Sequence, residues 1–383
     1  SHHDARRTPA AAILRALYRR MARVAGVAVV KIVTTARDPL DIVTIRDLLA
    51  GAASGTTPLA ALAMGDLGVA SRILAPSWGS WATYVAMRDG AESAPGQLTL
   101  AEALATYRIE EIDGDTRFAG ITGHPVSHSL SPAMHNAAYA EHRINFRYLP
   151  FAAPKVEHIP ELIRKLRLRG LSVTAPHKIA IVKKMHRLDP AARRLGAVNT
   201  IVNDGKRLFG FNTDADGLMN PLRLRMAPAG TTVAIVGAGG SARALAVALK
   251  EGGAQVLIAS RRERPGRDLA RATGARYVDL KRLARESYDI LINATPAGMD
   301  RRGMPVSAAA VKGRLVAELV YRPPVTPLLR LARARGLETI AGLDVLLSQG
   351  IEQYALFTGR SGPVETMRQA LAGALARAGE EAS

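Results

Sequence analysis

The 383-residue sequence contains no cysteine. That excludes disulfides, thiolate metal sites and thiol nucleophiles. Aromatic residues are only 4%, which argues against a function built on stacking nucleic-acid bases. No uncharged apolar run reaches about 18 residues, so no membrane span is expected. Neither an initiating Met nor a signal-peptide pattern stands at the start. The chain begins Ser1-His2-His3-Asp4, as if cut from something longer; a purification-tag remnant also explains the paired histidines. With no export signal and no cysteine, the expected location is cytoplasmic. Acidic residues are scarce: 33 Asp and Glu face 52 Lys and Arg, for a formal net charge of +19.

What is present suits a globular chain. Hydrophobic residues make up 48%, enough to bury cores. The basic residues are scattered. The densest run, Arg164-Lys165-Leu166-Arg167-Leu168-Arg169, has helical spacing and reads as a solvated helix face rather than a nucleic-acid patch. A positive field also suits an anionic small substrate and a phosphorylated cofactor. No nucleic acid, membrane or metal partner is expected; the chain is expected to be a monomer or homodimer.

Apolar runs alternate with helical patterns, the signature of an α/β fold. Val27–Val33 reads as a strand, Asp41–Leu49 as a helix, Leu59–Met64 as a strand and Trp78–Met87 as another. Thr99 reads as the cap of a helix over Leu100–Ala105. Arg108–Arg117, with four acidic residues around Gly114, reads as a linker. The rhythm resumes at Phe118, breaks at Ala227-Pro228-Ala229-Gly230 and restarts with the strand Thr232–Val236. The tail Leu343–Ala378 reads as helical, with a break near Pro363.

That last strand runs into Gly237-Ala238-Gly239-Gly240-Ser241-Ala242 and then a helix through Leu249. The pattern fits G-x-G-x-x-A. Gly237 permits a tight turn, Gly239 admits a pyrophosphate to the backbone, and Ala242 lets helix pack on strand. The helix N-terminus presents N–H groups to phosphates. A structural glycine turn would look alike in isolation, but strand–turn–helix is the context a dinucleotide site requires. The next strand, Gln255–Ala259, ends in Ser260-Arg261-Arg262. An NAD site usually places an acid there for the ribose 2′-hydroxyl. Guanidinium groups instead match a 2′-phosphate, so NADP is expected; two solvated arginines are the plain alternative.

A polar constellation lies upstream. Ser129 and Ser131 stand beside Pro132 at an expected helix start, which suits a carboxylate and equally a helix cap. Val173-Thr174-Ala175-Pro176-His177-Lys178, Gly196-Ala197-Val198-Asn199-Thr200 and Gly210-Phe211-Asn212-Thr213-Asp214 are apolar stretches ending in polar groups. In open α/β sheets ligands lie beyond such strand ends. If Lys178 and Asp214 meet, the carboxylate orients the ammonium for general acid–base catalysis; otherwise they are two solvated charges.

Together these residues resemble the shikimate dehydrogenase family. The matching motifs are Gly-x-Pro-x-x-His-Ser-x-Ser-Pro-x-x-His-Asn at 123–136, Val-Thr-x-Pro-x-Lys at 173–178, Gly-Ala-Val-Asn-Thr at 196–200 and Asn-Thr-Asp at 212–214. Gly237–Gly240 with Ala242-Arg243, Asn293-Ala294-Thr295-Pro296 with Gly298-Met299, and Val320-Tyr321-x-Pro-x-x-Thr-Pro at 320–327 continue the series. The resemblance covers roughly 116–375. It implies reversible reduction of 3-dehydroshikimate to shikimate by NADPH. It implies that Ser129 and Ser131 hold the substrate carboxylate, that Thr174, Asn199 and Gln349 bind ring hydroxyls, and that Tyr321 helps near the carboxylate. Lys178 and Asp214 are then the catalytic pair, Lys178 passing a proton to or from the C3 oxygen. The glycine turn holds the diphosphate, Arg261 the 2′-phosphate with Ser260 and Arg262 beside it, and Thr295 and Gly342 lie along the cofactor, Gly342 near the nicotinamide. Departures from the family are Val345 for a Met, Glu318 for a common Asp, Ser260 for a common Asn, and Pro265 near the place of a second phosphate-clamping base.

At the N-terminus, Lys31 sits inside an apolar strand. A buried lysine is a candidate Schiff-base nucleophile, and an edge lysine that snorkels is the plain alternative. Ser1-His2-His3-Asp4 with Thr8-Pro9, Val30-Lys31-Ile32, Met64-Gly65, Ser71-Arg72 and Ser93-Ala94-Pro95-Gly96-Gln97 resembles the C-terminal half of type I 3-dehydroquinate dehydratase. That resemblance implies an imine at Lys31, acid–base work at His3, and substrate binding by Arg72, Ser93 and Gln97. The family is a (β/α)₈ barrel, and about half of one is here. An open half-barrel should expose strand edges and apolar faces.

The expected organisation is therefore a partial barrel over 1–107, a linker over 108–115, a shikimate-binding domain over 116–226, an NADP-binding Rossmann domain over 227–338, and helices 339–383 returning to the catalytic domain. The chain reads as the C-terminal part of a dehydratase–dehydrogenase fusion, with no dehydratase turnover of its own. Rival readings are a quinate dehydrogenase using NAD, which predicts an acid near 260, and a non-catalytic regulator, which predicts loss of Lys178 or Asp214.

Overall fold

The computed structural model describes residues 1–127 and 129–380; His128, a member of the 123–136 motif, lies outside the described residues. Two compact units emerge, Ser1–Leu188 with Val198–Phe211, and Asp189–Ala197 with Asn212–Ser383.

The first unit opens with β1 (His2–His3), α1 (Ala11–Ala22), β2 (Val30–Thr35), α2 (Asp41–Ala52), β3 (Leu59–Met64) and α3 (Val69–Leu74). The three strands form a parallel sheet in the order β1-β2-β3. Leu14 and Tyr18 of α1 and Ile45 and Leu48 of α2 bury Val30, Ile32, Leu59 and Ala61. Strand alternation turns Lys31 and Val33 to the other face. The exposed inner face expected of half a barrel is not found: Val33, Ala60 and Leu62 are all buried. Segment 76–107 folds back instead. The Trp81 amide donates to the Leu59 carbonyl (2.9 Å), Thr83 Oγ1 donates to the Arg72 carbonyl (2.9 Å), and the Tyr84 ring lies under Lys31 Nζ.

The strand expected at Trp78–Met87 does not form. Pro76–Trp78 is a 3₁₀ turn, Gly79 takes φ +86°, and Ala86 makes one isolated bridge to Thr99. Pro76 and the left-handed Gly79 interrupt extended backbone before a ladder can register. The Thr99 cap is present as a reciprocal box. The Glu102 amide donates to Thr99 Oγ1 (3.1 Å) and the Thr99 amide to Glu102 Oε2 (2.9 Å). The helix it opens continues as a π-turn over Glu102–Thr106.

β4 (Arg117–Gly123), α4 (Ser131–Glu141), β5 (Phe146–Ala152), α5 (His158–Lys165), β6 (Gly170–Val173), β7 (Arg187–Leu188), β8 (Thr200–Asn203) and β9 (Leu208–Phe211) complete this unit. Their sheet has the order β5-β4-β6-β8-β9-β7, parallel through β6 and antiparallel across β8. The stretch read as a linker is stitched to it. Buried Arg147 donates through Nε to the Tyr107 carbonyl (2.9 Å) and pairs with Glu111 (3.2 Å), and Asn145 donates to Asp113 (2.9 Å). α3 packs on β5. The basic run also departs from expectation: α5 ends at Lys165 and Arg167 takes φ +53°, so only its first two residues are helical.

The second unit holds α6 (Pro190–Leu195), α7 (Asp214–Arg223), β10 (Thr232–Val236), α8 (Gly240–Glu251), β11 (Gln255–Ser260), α9 (Glu263–Thr273), β12 (Arg276–Asp279), β13 (Ile290–Asn293), β14 (Leu315–Glu318), α10 (Pro327–Ala334), β15 (Glu338–Ile340), α11 (Gly342–Thr358) and α12 (Val364–Glu380). All six strands are parallel, in the order β12-β11-β10-β13-β14-β15. That is the doubly wound arrangement, with its switch point between β10 and β13. Separate apolar clusters cover its two faces.

His135 on α4 is fully buried and stacks on Tyr148 (centroids 4.2 Å, planes 7° apart). Burial pushes its pKa down to about 3. The unfolded chain takes up this proton near pH 6.5 and the folded chain does not, so this group's contribution falls as pH drops below that value, by up to about 1.4 kcal/mol per pH unit. Urea unfolding at pH 6.5 and pH 5 should show that loss, and His135→Phe should shrink it. An unchanged pH difference in the variant would remove His135 as its source.

Candidate active site

The sheet of the first unit gathers one set of polar groups at one end. β4 leads into the loop that carries Ser129, and Ser131 begins α4; the Ser131 amide donates to Ser129 Oγ (3.2 Å). Ser131 is buried and Ser129 half-buried. β6 ends at Val173, so Thr174 and Lys178 follow at the same end. β8 runs antiparallel to β6 with Ser172 opposite Thr200, which returns Asn199 to that end. The Val173 amide donates to the Asn199 carbonyl (2.6 Å) and the Val198 amide to the Lys178 carbonyl (2.8 Å). Asn199 is buried, and its Oδ1 accepts from Thr200 Oγ1 (2.9 Å). Two hydroxyls at a helix start, a threonine, an amide and an ammonium can hold a small carboxylate bearing hydroxyl groups.

The second unit places the acid. Asp214 opens α7, and its amide donates to Asn212 Oδ1 (3.1 Å). Gln349 Nε2 on α11 donates to Asp214 Oδ1 (2.5 Å), so two residues 135 apart in sequence share one contact. Gly217 makes this possible. A Cβ there would stand 3.1 Å from the Val345 carbonyl and 3.3 Å from Gln349 Cβ. Asp216, given no role from sequence, is half-buried, and burial raises its pKa against the lowering effect of Arg223. Tyr321 is half-buried, and burial raises its pKa.

The glycine turn has the geometry of a cradle. Gly237 has φ +124°, and a Cβ there would meet the Ala294 carbonyl at 2.9 Å. At Gly239 and Gly240 an added Cβ would meet no protein atom within 4 Å. That space lies before α8, whose N-terminus has no side-chain cap. An open, uncapped helix start fits a diphosphate. Ser260 is buried with its hydroxyl donating to the Arg262 carbonyl (2.8 Å), while Arg261, Arg262 and Arg264 are exposed around the start of α9, as a 2′-phosphate requires. Thr295 is fixed by Asn293, whose Oδ1 accepts from its amide (3.0 Å) and hydroxyl (2.7 Å). A Cβ at Gly342 would stand 2.3 Å from the Val320 carbonyl, so α11 starts against the Tyr321 loop. Asn293, Glu318 and Thr326 have no role in the motifs, yet all three are fully buried and bonded together. A charged residue at the end of an apolar strand was the available signal.

The N-terminal residues form two groups. His3 lies on the strand beside Lys31, close enough for the lysine charge to help burial lower its pKa. Lys31 Nζ sits 3.7 Å from the Tyr84 ring centroid. Ser93 donates through its amide (2.7 Å) and hydroxyl (3.1 Å) to Gln97 Oε1. Buried Arg72 donates to the Pro95 carbonyl (3.3 Å) and leaves Nε without a hydrogen-bond partner; burial lowers its pKa to about 10.

The chain matches four family models. Residues 121–201 match the shikimate dehydrogenase substrate binding domain, 1–113 type I 3-dehydroquinase, and 342–372 the shikimate 5′-dehydrogenase C-terminal domain. Residues 191–312 match the NAD binding domain of D-isomer specific 2-hydroxyacid dehydrogenases. The chain is 34% identical over 388 residues to a chloroplastic bifunctional 3-dehydroquinate dehydratase/shikimate dehydrogenase of Arabidopsis thaliana, a match covering 95% of this chain and 64% of that protein. It thus spans just under two thirds of the plant relative. It is 39% identical to an NADP(+) shikimate dehydrogenase of Methanopyrus kandleri, over 68% of this chain and 96% of that one. A shikimate 5-dehydrogenase from Thermus thermophilus, solved with NADP(H) and shikimate, is 37% identical with a TM-score of 0.63, over 68% of this chain and all of that one.

Two glycine substitutions separate packing from ligand space. Gly217→Val should crowd α7 against α11 and lower stability by about 1–3 kcal/mol. Gly239→Ala should leave the melting temperature unchanged or slightly raised. Thermal melts of both without ligand check this; a Gly217→Val protein as stable as the parent would refute the close approach.

Proposed function

Because the chain belongs to the shikimate dehydrogenase family, we propose that it catalyses the reversible NADP-dependent interconversion of 3-dehydroshikimate and shikimate. The observation that carries this is the gathering of Ser129, Ser131, Thr174, Lys178 and Asn199 at one end of one sheet. Ser129 and Ser131 receive the substrate carboxylate at the start of α4. Thr174, Asn199 and Gln349 select the ring hydroxyls, and Tyr321 helps near the carboxylate. Lys178 delivers a proton to the C3 oxygen on reduction and accepts one on oxidation. Asp214 is the second member of the acid–base pair, and Gln349 fixes its carboxylate. Bound NADPH supplies the hydride at C3. The chain supports the cofactor through the turn at 237–242, Ser260, Arg261, Arg262, Thr295 and Gly342. The domain boundaries read from sequence and a cytoplasmic location belong to the same proposal.

The N-terminal segment is a type I dehydratase fragment that these residues alone do not make active. The Lys31 ammonium lying on the Tyr84 ring supports this, since an amine held there must first be released to attack a carbonyl. Dehydration of 3-dehydroquinate by this chain that disappears in Lys31→Ala would overturn it.

A matrix of shikimate and quinate against NADP⁺ and NAD⁺ tests the main reading, with shikimate and NADP⁺ expected to turn over fastest. Lys178→Ala and Asp214→Asn should each lower kcat by about 10²–10⁴. The double variant should be little worse than the poorer single, as for residues that act as a unit. Unchanged turnover in Lys178→Ala would defeat the assignment, and faster quinate oxidation with NAD⁺ would shift it to the rival dehydrogenase.

A further inference from the structure

β14 ends in a carboxylate where its neighbours carry apolar side chains. Glu318 is fully buried and stands opposite Asn293 at the end of β13. Its Oε1 accepts from Asn293 Nδ2 (2.9 Å) and the Val320 amide (2.9 Å), and its Oε2 from Thr326 Oγ1 (3.0 Å). Every one of these partners is a neutral donor. Burial without a cation is an expensive place for a carboxylate, and burial raises its pKa against the pull of the hydrogen bonds. Bulk stability is thus a poor account of the residue.

Its connections give a better one. Asn293 spends its Nδ2 on Glu318 and on the Ala297 carbonyl (3.1 Å), leaving Oδ1 to fix both donors of Thr295. Thr326 is held by Glu318 and also accepts from the Leu329 amide (3.3 Å), which starts α10. The Val320 amide anchors the loop that carries Tyr321, and Gly342 packs against the Val320 carbonyl. On the other side, Gly237 abuts Ala294 and Thr295. One side chain therefore links the Asn293–Gly298 loop to the Val320–Thr326 loop, and through close packing to the glycine turn and the start of α11.

We propose that Glu318 is a positioning residue for the nicotinamide cofactor, locking the Thr295 and Tyr321 loops into one arrangement and so setting cofactor affinity through Asn293 and Thr326. The proposal rests on the NADP-linked reading above. Aspartate, one methylene shorter, keeps an acceptor for each donor, whereas glutamine turns an N–H group toward donors and leaves one of them unsatisfied.

The full chain with Glu318→Gln, Glu318→Asp and Thr326→Val tests it. Dissociation constants for NADP⁺ and NADPH are read by calorimetry and by NADPH fluorescence well below the melting temperature, and KM is measured separately for NADP⁺ and shikimate. Glu318→Gln should weaken NADP⁺ binding about tenfold or more, the size expected from one unsatisfied buried donor, with a smaller rise in the KM for shikimate through the Tyr321 loop. Glu318→Asp should recover most of the affinity. A purely structural role would lower the melting temperature and leave the dissociation constant of the folded protein alone. A folded Glu318→Gln protein with parental affinity overturns the proposal. Should that variant fail to fold, parental affinity in Thr326→Val does the same. If the parent binds NADP⁺ neither by calorimetry nor by fluorescence, the NADP-linked reading itself falls and this proposal falls with it; parental binding with unaltered variants sinks this proposal alone.

Discussion

A parallel sheet covered on both faces satisfies its backbone internally and fills its faces with apolar side chains, so only the strand ends remain for chemistry. Both larger sheets obey this constraint. β4 and β6 run out into Ser129, Ser131, Thr174 and Lys178, while β10, β11 and β13 run out into the glycine turn, Ser260 and Asn293–Thr295. Inside the strands of the second unit the burial is nearly complete. A polar residue within that interior therefore needs a network, and the one around Glu318 supplies three donors, from Asn293, Val320 and Thr326.

The N-terminal segment shows how unlike interactions share a seam. His158 and Asp38 approach to 3.3 Å across it, but both are partly exposed, and such pairs contribute about 0–1 kcal/mol. Arg147 differs. It is 3% exposed and makes hydrogen bonds to Tyr107, Phe146 and Glu111, each charge-assisted bond worth about 1.5–3 kcal/mol. Together with the packing of α3 on β5, it holds the segment to the substrate-binding sheet. The segment matches type I 3-dehydroquinase, and it also closes over itself and fastens to its neighbour.

Charge follows the same division. Most of the +19 lies on exposed arginine and lysine. The cations Arg72 and Arg147 and the carboxylate Glu318 are buried instead. Arg261, Arg262 and Arg264 are exposed because the strand before them ends and α9 has just begun.

The sequence by itself settled much of this protein. Periodicity and glycine placement gave Leu59–Met64 and Thr232–Val236 as strands with the bounds the structure shows, because an uninterrupted apolar run next to a required turn has few alternatives. Thr99 announced its cap because that interaction is local. The motifs supplied the candidates for carboxylate, proton and phosphate. Trp78–Met87 misled because β-propensity does not register the break that Pro76 and Gly79 impose. Tertiary structure alone decided which distant residues meet: Gln349 with Asp214, Tyr84 with Lys31, Arg147 with Tyr107, and Glu318 with Thr326 and Asn293. Those pairings depend on which helix can approach which, at points such as Gly217, and on where a buried charge finds its donors. Spacing along a chain records local geometry, and it holds no direct trace of contacts closed across a hundred residues of folded backbone.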